Sequence, residues 1–73
     1  MRKNFFETLQ KFNKGVKLSY NNEYDKFSTL SSISGTCQPE ELNLPAGCIW
    51  KDDSFLLYEG MIFRYIPELL LNI

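Results

Sequence analysis

The run Met61-Ile62-Phe63-Arg64-Tyr65-Ile66 limits what this chain can fold into more than any other segment. Side chains alternate across a strand, so Ile62, Arg64 and Ile66 share one face while Phe63 and Tyr65 share the other. Both faces therefore carry apolar groups, and a helix can cover only one of them. Two further apolar and aromatic runs precede this one, Cys48-Ile49-Trp50 and Phe55-Leu56-Leu57-Tyr58, split by Lys51-Asp52-Asp53-Ser54 and by Glu59-Gly60. Connections this short join antiparallel neighbours, so the carboxy-terminal third is predicted to be a three-stranded meander. Pro67 ends its last strand and is placed to open a helical turn at Glu68-Leu69-Leu70-Leu71.

The covering helix is predicted at the amino terminus. Phe5, Leu9, Phe12 and Val16 fall at i, i+4, i+7 and i+11, with Phe6 widening the stripe and Lys3, Glu7, Gln10, Lys11 and Lys14 on the other side. The opposite charges of Lys3/Glu7 and Glu7/Lys11 contribute about 0.2–0.5 kcal/mol per pair. Asn4 is read as the N-cap with Glu7 at N3, and Gly15 as the C-cap after Lys14. Val16-Lys17-Leu18-Ser19-Tyr20 then alternates as a short strand, and Asn21-Asn22 marks a turn. In residues 23–34, Tyr24, Phe27, Leu30 and Ile33 recur every three positions, which favours a second helix over a strand despite the Ser and Thr content. Gly35 to Gly47 is rich in loop signals, with Pro39-Glu40-Glu41 read as the first turn of a short helix. The predicted class is α+β: one domain, residues 1–73, with an amino-terminal amphipathic helix on an antiparallel meander of roughly three or four strands.

A 73-residue chain buries only about 60% of its unfolded surface, so its core is thin. Arg2 and Lys3 are followed by Glu7, Gln10, Lys11 and Lys14 before any apolar run, which is not the pattern of a secretory signal, and no apolar stretch approaches a membrane span. The expected location is the cytoplasm, away from membranes. There Cys37 and Cys48 are read as free thiols, a disulfide between them being the alternative.

Composition argues against catalysis. The chain has no His, the residue most used for proton transfer near neutral pH and for zinc ligation. The carboxylate pairs Glu40-Glu41 and Asp52-Asp53 are adjacent in sequence and so diverge instead of converging on a substrate. Ser28, Ser31, Ser32 and Ser34 lack a histidine base, and Lys26 does not stand in a Ser-x-x-Lys order with them. Glycines occur singly, with no phosphate-cradling loop. Neither enzymatic activity, nor a cofactor, nor a metal is expected.

Net charge is −1, but it is unevenly spread: residues 1–26 hold six basic and three acidic side chains, residues 27–73 two basic and six acidic. A nucleic-acid binder using Lys3, Lys11, Lys14 and Lys17, with Tyr20 or Tyr24 stacking on bases, is one alternative reading. The favoured reading rests on aromatic surplus. Six Phe, four Tyr and one Trp exceed what so thin a core needs, and an exposed apolar patch on a small domain marks an interaction surface. Trp50, Tyr58, Phe63, Arg64 and Tyr65 are the expected contact residues, with Asp52, Asp53 and Glu59 as an acidic rim. The expected function is a small non-enzymatic intracellular protein-binding module that inhibits or modulates a larger host enzyme or complex, in the size class of virus- or mobile-element-encoded proteins. A structural homodimer joined at the meander edge is a further alternative.

Overall fold

The computed structural model describes residues 2–21 and 30–68, without the side chains of Arg2 and Lys3. Helix α1 spans Arg2–Phe12, and strands β1 (Leu18–Asn21) and β2 (Ser31–Gly35) follow. A 3-10 turn at Pro39–Glu41 leads to β3 (Ile49–Trp50), β4 (Phe55–Tyr58) and β5 (Met61–Pro67). The strands form one sheet in the order β1-β2-β5-β4-β3. The class is α+β, as expected, but the sheet is five-stranded and mixed instead of an antiparallel meander of three or four strands. The last three strands do run antiparallel. What differs is that β2 lies parallel to β5, from Ser31 opposite Phe63 to Gly35 opposite Pro67, with β1 antiparallel to its far side.

Residues 31–34 are therefore strand, not the predicted second helix; residues 22–29 lie outside the described part of the chain, as do residues 69–71 of the turn expected after Pro67. Ser31, Ile33 and Gly35 point inward and are buried. Small residues suit positions 31 and 35 because the rings of Tyr20 and Tyr65 come close there. The Tyr20 hydroxyl donates to Ser31 Oγ at 3.2 Å, and a Cβ placed on Gly35 would come within 2.5 Å of the Tyr65 hydroxyl oxygen and 2.7 Å of Leu18 Cδ2. A Ser-rich segment with poor strand propensity is thus held as a central strand by what packs across it.

Helix α1 covers one face of this sheet. Phe5 stacks on Tyr58 with ring centroids 4.7 Å apart and meets Phe63 at 4.4 Å, while Phe6 stacks on Tyr20 at 5.8 Å. Two readings of its ends need correction. Asn4 lies inside the helix instead of capping it, since the helical turn already begins at Arg2. The buried ridge runs Phe5, Leu9, Asn13, leaving Phe12 49% exposed. Asn13 Nδ2 donates to Leu9 O at 2.7 Å and to Asn43 O at 2.9 Å, and Asn13 Oδ1 accepts from Asn43 N at 2.7 Å. Gln10 Nε2 donates to Val16 O at 2.9 Å. These amides satisfy carbonyls left over at the helix end and tie it to the loop before β3, a polar use of a position that periodicity assigns to Phe12.

The opposite face carries Ser19, Ser32 and Ser34 on one half and Ile49, Phe55, Leu57, Ile62, Arg64 and Ile66 on the other, by the strand registers. Ile49 and Ile66 are exposed there. The β4–β5 turn is tight: Glu59 and Gly60 both have positive φ, at 50° and 76°, the geometry of a two-residue type I′ hairpin.

Candidate partner-binding groove

A concavity of about 910 Å³ lies on the core side of the sheet, and no residue of α1 is among those described as lining it. Gln38, Pro39, Glu40 and Leu42 from the 3-10 turn form one wall. Trp50 of β3 and Asp52 and Asp53 of the following loop form the other, with Pro67 of β5 at the end. Each wall has a local cause. Pro39 and the acids after it start the 3-10 turn, which closes when Glu41 Oε1 accepts from Gln38 N at 3.0 Å and Leu42 N donates to Pro39 O at 3.1 Å. The β3–β4 loop is held by Lys51 N donating to Phe55 O at 2.8 Å and Ser54 N donating to Asp52 Oδ1 at 2.9 Å. Asp52 and Asp53 are both exposed.

Trp50 pairs with Leu56, which fixes it on the core side. Its ring meets Tyr65 edge to face at 6.0 Å. Tyr65 in turn donates its hydroxyl to Cys37 O at 2.6 Å, with Cys37 Sγ at 3.4 Å, so the ring behind Trp50 is locked to the backbone. Burial, followed by the Cys37 contact, raises the Tyr65 phenol well above its ordinary value. Phe63 and Tyr65 are 0% and 2% exposed and so belong to the core, correcting their placement among the contact residues. Their faces of β5 are the ones α1 and the loop before β3 cover.

The other expected contact residues separate. Trp50, Asp52 and Asp53 come together in the groove. Arg64 is exposed on the opposite face of the sheet, across from Phe55 and Ser32. Tyr58 stacks on Phe5 and, with Asn4, Thr8, Glu59 and Met61, lines a small cleft of about 180 Å³. Its phenol is raised by loss of hydration and then by the neighbouring Glu59 carboxylate. Glu59 sits at the far end of β4 from Asp52 and Asp53, so the three do not form one rim. Glu40, Pro39 and Pro67 complete the groove without having been foreseen. Acids beside a proline were legible as a helical first turn, but nothing local links them to Trp50.

Lys11, Lys14 and Lys17 are exposed along the end of α1 and the turn before β1; the Lys3 side chain lies outside the described residues. Cys37 and Cys48 are unpaired thiols. Burial pushes the Cys48 thiol up to about 11, which keeps it protonated and unreactive near neutral pH. Among the described residues no three His, Cys, Asp or Glu side chains are grouped to hold a metal, and no helix is long and apolar enough to cross a membrane. Comparison with protein-family models, with curated proteins and with solved structures gives no match for this chain.

Proposed function

We propose that this chain is a small protein-binding module, acting as a non-enzymatic inhibitor or modulator that engages a larger protein through the Trp50 groove. The observation that carries the reading is the convergence of Trp50, Asp52 and Asp53 with Glu40 in a concavity built from three separate stretches of the chain. Trp is among the residue types most enriched where binding energy concentrates, and here it is only half-buried against the core, with Tyr65 locked behind it and part of its surface lining the recess. A preformed wall of this kind loses little side-chain entropy on binding.

The test is capture from a lysate by the wild-type protein and by Trp50→Ala, with Lys11→Glu/Lys14→Glu as a second comparison. A stoichiometric partner is expected with the wild type and with the lysine variant, and is lost on Trp50→Ala. Capture that survives Trp50→Ala but fails with the lysine variant refutes the groove and favours the basic end of α1.

A further inference from the structure

The groove's lining also says what kind of segment enters it. Resting on the binding-module reading above, we infer that the occupant is an extended segment of a partner protein carrying an Arg or Lys, whose cationic side chain lies along Trp50 between the two acidic walls. Glu40 stands on one wall and Asp52 and Asp53 on the other, with no basic residue lining the groove among the described residues. All three carboxylates are exposed, and none has an ion-pair partner among the described residues. Three like charges around one open concavity repel one another, and an incoming cation relieves that repulsion. The same field opposes phosphate groups, so a nucleic acid, a phosphopeptide or an anionic lipid surface is the wrong class of ligand here.

The apolar part of the lining selects a long-stemmed cation over a simple metal ion. Trp50, Pro39, Leu42 and Pro67 offer flat hydrocarbon surface between the acids. Arg and Lys combine methylene stems that pack on such surface with a head that favours an aromatic face, Arg more so because its guanidinium is planar and weakly hydrated. The groove lies between the 3-10 turn and the β3–β4 loop and opens to solvent, so an extended segment can enter it from the surface.

Trp50 is the only tryptophan in the chain, so its fluorescence reports on the groove alone. The probes are acetyl-Ala-Leu-Arg-Leu-Ala-amide and its counterparts with Lys, norleucine or Glu at the centre. The Arg peptide is expected to shift Trp50 emission saturably, the Lys peptide somewhat more weakly, and the norleucine peptide about tenfold more weakly. Binding of the Arg peptide is expected to weaken as salt rises and to fall about tenfold in Asp52→Asn/Asp53→Asn, whose exposed substitutions leave the fold intact. Equal binding of the norleucine peptide overturns the inference, as does preferential binding of the Glu peptide. A saturable emission change that follows protein concentration without any peptide also overturns it, since the occupant is then a second copy. Failure of all four peptides while Trp50→Ala still abolishes partner capture removes the basic-segment inference and leaves the binding-module reading standing; if capture is indifferent to Trp50→Ala, that reading falls as well.

Discussion

Phe63 and Trp50 stand on the same side of one sheet and share an aromatic character, yet the fold uses them in different ways. Phe63, near the middle, meets Phe5 of α1 and is fully buried. Trp50, on the edge strand, meets Tyr65 in an edge-to-face contact and forms part of a groove wall that includes no described residue of α1. The difference comes from the length and placement of the one described helix, whose buried ridge ends at Asn13 and is fastened to the loop at Asn43. An aromatic on this face of the sheet is buried where the helix or the loop before β3 lies over it, and partly exposed where neither does.

The comparison can be broken most forcefully at Phe63. Phe63→Ala is expected to cost about 3–5 kcal/mol, most or all of the stability of a domain this small, whereas Trp50→Ala is expected to cost about 1 kcal/mol. Urea unfolding of the two variants checks the contrast, and similar losses would mean that Trp50 is a core residue after all. Next in size is Gly35→Ala, expected to cost about 1–3 kcal/mol because its Cβ collides with the Tyr65 hydroxyl and Leu18. Tyr65→Phe removes the colliding oxygen, so the double variant is expected to lose less than the sum of the two single changes. Asn13→Ala is expected to cost about 1–3 kcal/mol by leaving the Asn43 amide and the Leu9 carbonyl without their partners.

A smaller effect concerns pH. Cys48 is raised in the fold from 9.0 to about 11, so between those values the unfolded chain has lost a proton that the folded chain keeps. Stability is full below about pH 9 and falls as pH rises toward about 11, and Tyr65 and Tyr58, also raised, extend the decline. Thermal unfolding of Cys48→Ala across that range is expected to show a shallower decline. The smallest change is expected at Glu59, the one non-glycine residue of positive φ among those described. Glu59→Gly relieves that strain and is expected to change stability by less than about 1 kcal/mol, while leaving both the core and the groove unaltered.

Local patterns in the sequence reached only part of this arrangement. The Phe5/Leu9 stripe, the alternating run at 61–66 and the Glu59-Gly60 turn are short-range signals, and each corresponds to α1, β5 or the β4–β5 hairpin. The parallel β2–β5 pairing left no such trace, because Gly35 fits the ring of Tyr65, which is distant in sequence. The same reason explains the site. Trp50, Asp52 and Asp53 were legible as an aromatic beside an acidic turn, but Glu40 and Pro39 join them only through the fold. Phe63 and Tyr65 were misplaced because alternation shows which face a residue takes, and not which face the helix will cover.

The most direct test of the groove is a residue-resolved NMR titration of the labelled protein with acetyl-Ala-Leu-Arg-Leu-Ala-amide. Shift changes are expected to concentrate at the Trp50 indole, Glu40, Leu42 and Asp53, with Phe5 and Phe63 undisturbed. Changes confined to Ile49, Leu57 and Ile62 on the opposite face, or to the cleft at Asn4, Thr8 and Tyr58, would contradict the account.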